Sequence, residues 1–187
     1  MSKTAANCIP DVSFLAEKGF AIKPISQMNV DQRLALLDIR NTPDVRRNMY
    51  DSHVIDQPSH LAWCDRMATC RTDHIFGVAD ADVIVGQFGL RAISWEDRRC
   101  DWAFFIAEGL RGRGLGGAIE RTVLRHVFND LGFQKLNCEV IEFNAAVIEM
   151  HKRFGFRVEG IRRQHVLREN KAFDVVCMGM LCDEFVK

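Results

Sequence analysis

Neither sign of charge prevails in this chain: 25 Lys and Arg stand against 25 Asp and Glu, so with neutral histidines the net charge is zero. Without a basic excess there is no global field to hold nucleic acid or anionic lipid, and neither is expected as a partner. The seven cysteines are odd in number and contain no C-x-x-C pair. That pattern fits neither a disulfide framework nor a zinc site, so reduced thiols, no metal and a cytoplasmic setting are expected. Also missing is an uncharged apolar run of the ~18 residues that a membrane span requires. Met1 to Gly19 carries Lys3, Asp11, Glu17 and Lys18 in place of a signal peptide's apolar core. Tyrosine occurs once, as Tyr50. The 187 residues, 48% apolar, suffice for one packed core and are too few for two full domains.

Glycine is present but crowded. Five of the 13 glycines, at 109, 112, 114, 116 and 117, are packed into one short stretch. Around it the apolar periodicity reads as alternating elements. Val30–Asn41 is a helix with Asn29 as N-cap, and a second helix starts near Pro58 and ends near Cys70. Runs 75–79 and 83–90 form a hairpin, and 101–107 is a strand entering the glycines. A long helix over 115–131, a strand over 135–141, a helix over 145–154 and two closing strands over 156–167 and 172–181 follow. The order predicts an α/β (α+β) fold: one mixed, twisted sheet of about seven strands with helices on both faces.

A glycine-rich segment between a strand and a helix is suited to an anion, because exposed amides and the helix dipole meet there. Three phosphate motifs compete for it. A Walker A loop needs Lys and Ser or Thr after its last glycine, and Gly114 is followed by Leu115-Gly116. Gly112, Gly114 and Gly117 spell the dinucleotide pattern G-x-G-x-x-G, with Glu139 downstream, but too little chain follows to complete a parallel six-stranded sheet. The third pattern is [Gln/Arg]-x-x-Gly-x-[Gly/Ala], matched by Arg111, Gly114 and Gly116.

This third match resembles the acetyl-CoA pyrophosphate loop of the GNAT acetyltransferase superfamily. A second block agrees: Glu139-Val140 on a strand, then Asn144, Val147, Ile148 and Phe154-Gly155-Phe156, in the order that superfamily uses. The resemblance spans roughly residues 20 to 182, which leaves 1–19 as an N-terminal extension and 20–187 as the GNAT domain. It implies an acetyl-CoA-dependent N-acetyltransferase acting by direct attack through a tetrahedral intermediate. It further implies that the backbone of Arg111, Gly112, Arg113, Gly114, Leu115 and Gly116 holds the pyrophosphate. The strand edge Phe105, Ile106 and Ala107 pairs with the pantetheine arm, and Asn144 contacts the cofactor. A backbone amide near Ile106 polarises the acetyl carbonyl.

Transfer requires a neutral amine and a thiolate that is protonated or stabilised as it leaves. The superfamily often places a tyrosine acid seven residues after the asparagine, and this chain has His151 there, on a stripe with Val147, Ile148 and Phe154. His151 is the candidate acid, with a core-edge histidine as the alternative. Glu139 and Asp101 are the candidate bases, Glu139 being preferred, and a water chain is the alternative.

The superfamily acetylates many amines, so the acceptor has to be read from the N-terminal half. Arg40-Asn41-x-Pro43, Met49-Tyr50 and His60-Leu61-x-Trp63, with Phe173-Asp174-Val175, resemble the nucleotide-amino-sugar acetyltransferases of the pseudaminic acid pathway. That resemblance implies a UDP-linked 4-amino-4,6-dideoxy sugar as acceptor, in a route to flagellin glycosylation. Arg40 and His60 would face its diphosphate and Tyr50 and Trp63 its base, with Met49, Arg91 and Trp102 nearby. A ribosomal-protein-type N-terminal acetyltransferase and a non-catalytic acetyl-CoA-binding module are the alternatives. The closing hairpin offers an edge for a homodimer.

Overall fold

A computed structural model describes residues 9–185. The first eight residues of the expected extension, Cys8 among them, lie outside the described residues. Seven strands form one sheet in the order β1-β2-β3-β4-β5-β7-β6. They are β1 (Phe20–Pro24), β2 (His74–Asp80), β3 (Val83–Ser94), β4 (Arg99–Ile106), β5 (Lys135–Ile141), β6 (Arg157–Arg168) and β7 (Lys171–Leu181). Every neighbouring pair is antiparallel except β4 and β5. The mixed seven-stranded sheet expected from the sequence is therefore observed.

Six α-helices cover it: α1 (Ser13–Ala16), α2 (Val30–Asn41), α3 (Pro43–Arg46), α4 (Gln57–Ala68), α5 (Leu115–Arg125) and α6 (Ala145–Phe154). The start of α2 is set by a capping box, in which the Asn29 side chain accepts from the Gln32 amide at 2.9 Å and Gln32 Oε1 accepts from the Asn29 amide at 3.2 Å. Asp56 caps α4 in the same way through the Ser59 amide. Pro58 adds a preset φ to that first turn.

Two cores on opposite faces and a small third cluster, Ile141, Val166 and Val175 between β5, β6 and β7, result among the described residues. The larger packs Leu15 of α1 and Leu115, Ile119 and Val123 of α5 against Val78, Phe88, Leu90, Trp102, Leu136 and Met180 of the sheet. The smaller packs Leu36 of α2 and Cys64 of α4 against Ile75, Ala79 and Ile84. Leu15 precedes residue 20 yet is fully buried, so the stretch ahead of β1 contributes to the core. Burial of one such side chain is worth about 1.5–3 kcal/mol.

The long helix expected over 115–131 is not continuous. It is α-helical to Arg125 and then widens into a π-turn over His126–Asp130. There His126 turns inward, is 1% exposed, and its Nδ1 meets Asp130 Oδ2 at 2.9 Å. A polar pair that needs burial on one side explains the wider turn better than the apolar period, which runs on unbroken.

Candidate active site

The parallel ladder between β4 and β5 is short. It holds only Arg99/Lys135, Cys100/Leu136 and Asp101/Asn137, and beyond that point the two strands part. The fork is pinned by Asn137, whose Nδ2 donates to Asp101 Oδ1 at 3.0 Å. Past it, β5 stays with β7 as far as Ile141, and β4 stays with β3 as far as Ile106. A gap lined by unpaired backbone opens between them. The Ala107 amide donates to Val85 O at 2.8 Å, so strand alternation turns the Phe105 amide toward β3 as well. The same alternation points the amides of Phe104 and Ile106 into the gap. Of the edge expected to receive a pantetheine arm, Ile106 presents its backbone there, whereas Phe105 and Ala107 do not. Phe104 was missed because the phase of a strand is set by its partner.

At the mouth of this gap stand the crowded glycines. Gly112 and Gly114 hold φ of 74° and 78°, a left-handed conformation that is costly for any side chain. Gly114 caps α5 without a side-chain hydrogen bond, and the first turn carries no acidic residue. The amides of Gly112, Arg113 and Gly114 find no backbone acceptor among the described residues. Free amides at the positive end of an 11-residue helix fit a pyrophosphate. The Lys18 Nζ lies 3.2 Å from the point a Cβ on Gly114 would occupy, adding a cation that the sequence reading left unassigned. The Arg111 guanidinium is turned away onto Asp44 of α3. Its contribution to the loop is therefore its backbone, and Arg113 carries the exposed charge. Leu115 is buried under the loop, and a Cβ on Gly116 would come within 3.4 Å of Met150 Sδ, so α5 and α6 lie close.

Asn144 is the N-cap of α6, half-buried, and its side chain has no hydrogen-bond partner among the described residues. It is available to a ligand in the gap. Seven residues on, His151 faces the core as expected. It is 3% exposed, its Nδ1 is 2.8 Å from Glu120 Oε1, and its ring packs 5.3 Å from those of Trp102 and Phe156. Burial pushes the Glu120 carboxyl upward, and the His151 hydrogen bond pulls it back. The imidazole is thus held through Nδ1 by Glu120, with its ring nearly enclosed by Trp102 and Phe156.

On the opposite face of β5, Glu139 is exposed just past the fork. Arg162 of β6 grips it with Nη2 at 2.6 Å from Oε1 and Nη1 at 3.2 Å from Oε2. The Tyr50 hydroxyl donates a short hydrogen bond to the same carboxylate. Burial, then the Glu139 bond, raises the Tyr50 pKa, so the phenol stays protonated. Arg168 holds this tyrosine's segment by donating to the Met49 and Tyr50 carbonyls. Met49 thus enters through its backbone. An open cleft of about 510 Å³ lies alongside, lined by Tyr50–His53 and His165–Arg168. Arg162 and Arg168 were missed because nothing in a strand's sequence says which distant loop it faces. Asp101, the other candidate base, shares the Glu139 face but is occupied by Asn137.

Two expected substrate contacts are corrected. His60 is 4% exposed, with Nε2 2.9 Å from the Arg33 carbonyl, and burial lowers its pKa. Trp102 is 3% exposed and stacks on Phe104 at 5.4 Å, on the face away from Glu139. Neither reaches a diphosphate. Trp63 is half-buried beside His60, ring to ring at 5.5 Å, and packs on the smaller core. A helical stripe reads alike whether it faces a ligand or a core. Arg40 and Arg91 do reach the Glu139 side, Arg40 by donating to the Asp51 carbonyl at 2.6 Å.

A family model described as an acetyltransferase (GNAT) domain matches residues 34–177. The chain belongs to the GNAT acetyltransferase family. As a GNAT acetyltransferase it uses acetyl-CoA, and the gap between β4 and β5 with the Gly112–Gly116 loop is the place its residues offer. Among curated proteins, this GNAT chain is 26% identical over 145 residues to the SPbeta prophage-derived N-acetyltransferase YokL of Bacillus subtilis, covering 76% of the chain and 81% of the relative. It is 25% identical over 149 residues to the L-amino acid N-acetyltransferase AaaT of Escherichia coli, covering 78% and 89%. Among solved structures, spermidine N-acetyltransferase of Vibrio cholerae, bound to CoA and spermine, superposes with a TM-score of 0.81 at 16% identity, covering 89% of this chain and 98% of that one. Among the described residues no helix is long and apolar enough to cross a membrane. No group of three or more potential metal ligands occurs among them either.

Proposed function

We propose that this GNAT enzyme moves acetyl from acetyl-CoA onto a primary amine that enters beside Glu139. The observation that carries this reading is Glu139 itself, an exposed carboxylate just past the β4/β5 fork, held in one orientation by Tyr50 and Arg162. Acetyl-CoA supplies an activated thioester. Glu139 accepts the proton that the ammonium must lose before attack, directly or through one water. The Ile106 amide donates to the carbonyl oxygen as it gains negative charge. With His151 enclosed, solvent returns the proton to the leaving thiolate.

For the acceptor, the nucleotide-linked 4-amino-4,6-dideoxy sugar is the finer form of this proposal, resting on Arg40, Met49, Tyr50 and Arg91. An amino acid, as named for the E. coli relative, is the second class, favoured by that relative's coverage of the chain. Pairing of two copies along the outer edge of β6 belongs to the same proposal. The test is CoA release with a thiol reagent, combined with mass analysis of the amine product across sugar, amino-acid and peptide acceptors. Release without any acetylated amine overturns the proposal.

A further inference from the structure

Six arginines have a carboxylate partner among the described residues. Arg33, Arg99, Arg111, Arg125, Arg157 and Arg162 pair with Asp65, Asp97, Asp44, Asp11, Glu184 and Glu139. Among those that do not, on the acceptor side, are Arg168, which is spent on the Met49 and Tyr50 carbonyls, and three more. Arg40, at the end of α2, donates through Nη2 to the Asp51 carbonyl, while its Nη1 is buried with no partner. Arg46 of α3 spends its donors on two carbonyls, Asn41 O at 3.0 Å and Ser52 O at 2.9 Å. Arg91 leaves β3 beside a bulge at Ala92, opposite Asp101 of the fork, and has no hydrogen bond or ion pair among the described residues.

Burial disfavours the charge of Arg40, the Asp51 carboxylate partly offsets this, and the nearby charges of Arg46 and Arg91 disfavour it further. The nearest opposing group, the Asp51 carboxylate, accepts from the His53 amide at 2.9 Å and lies 2.8 Å from its Nδ1. Like charges gathered around a buried, unused N–H are destabilising for the empty protein and become favourable when an anion enters. The guanidinium fork matches a carboxylate or phosphate with two parallel bonds.

From this arrangement we infer that the acceptor carries an anionic group, carboxylate or phosphate, which lodges between Arg40 and Arg91 while its amine reaches Glu139. The inference rests on the proposed function. It goes further in choosing the acceptor's charge: a polycationic amine is rejected by the same three guanidinium groups, although spermine occupies the structurally similar Vibrio enzyme.

The experiment compares acceptors that share an amine and differ in the anion. L-methionine is set against L-methioninamide for the carboxylate, the UDP-linked 4-amino sugar against the free amino sugar for the phosphate, and spermidine serves as the polycation. The anionic member of at least one pair is expected to show kcat/KM about 10- to 100-fold above its neutral partner, the span of a charged hydrogen bond. The pair that discriminates identifies the source of the anion. Arg91→Gln, which breaks no backbone hydrogen bond, is expected to reduce that ratio to near one, and Arg40→Gln to do the same with a higher KM. Equal use of both members of every pair, preference for spermidine, or an undiminished ratio in Arg91→Gln overturns the inference while leaving N-acetylation intact. If no amine is acetylated, the proposed function fails. The anion site is then judged by calorimetry of the CoA-bound protein with UDP and with L-methionine, where heat lost in Arg91→Gln supports it and absence of binding overturns it.

Discussion

The imidazole of His151 and the carboxylate of Glu120 meet at 2.8 Å with both side chains buried. The pair joins α6, which follows Asn144, to α5, which follows the glycine loop, and so clamps together the two helices that flank the gap. Trp102 closes it from the sheet side. The pair thereby fixes the spacing of α5 and α6.

Loss of one member leaves the other buried without a partner, which typically costs about 3–5 kcal/mol. Glu120→Ala and His151→Ala are each expected to lower unfolding stability on that scale, and the double variant is expected to lose less than the sum. Urea denaturation of the four proteins measures this. Additive losses would show that the pair is not coupled. In fractions that remain folded, His151→Ala should keep the pH dependence of kcat where solvent protonates the leaving thiolate, as proposed, and loss of that dependence would return the acid role to His151.

Glu139→Gln removes the base and keeps the shape. A fall in kcat of about 100-fold or more is expected, within the usual range for general base catalysis. The KM for acetyl-CoA should stay level. Tyr50→Phe leaves the carboxylate in place but less well oriented, so about a tenfold fall is expected. Steady-state kinetics from pH 6 to 9 check both, and an unchanged kcat in Glu139→Gln would return the base role to Asp101 or to water.

Gly114→Ala puts a side chain on a φ of 78° and against Lys18, so a stability loss of about 1 kcal/mol and a raised KM for acetyl-CoA are expected together. Lys18→Ala adds no strain, and so isolates the charge: its KM for acetyl-CoA should rise several-fold at low salt and less at high salt. Titration of CoA into each variant reads the same effect without turnover.

Burial lowers the pKa of His60, His74 and His126 in the folded protein. Unfolding lets each imidazole return to about 6.5 and take up a proton first. Their contribution is therefore complete above that pH and is lost as the pH falls from there toward the lower folded values. Thermal midpoints should be level between pH 7 and 8 and drop steadily below 6.5. A midpoint that rises on acidification contradicts this.

What the sequence determined by itself was local or periodic, although the apolar period ran through the π-turn at His126–Asp130 without marking it. Asn29 and Gln32 are three residues apart, so their cap is written in adjacent positions. The boundaries of α2, β5 and α6 follow from apolar spacing and the stops at Pro43 and Gly155. The left-handed glycines ahead of α5 were legible for the same reason, since a backbone constraint is met by the residue that carries it. Tertiary structure alone decided what depends on partners far along the chain. It put Tyr50 against Glu139, 89 positions later, and Arg168 on the Met49 carbonyl, 119 positions later. It buried His60, Trp102 and His151 where periodicity allowed either a core or a ligand face, and it set Arg40 and Arg91 on the Glu139 side with neither in a salt bridge among the described residues. Periodicity reports that a side chain has a preferred face. Which neighbours fill that face, and whether water or a ligand can reach it, is fixed only when the sheet closes.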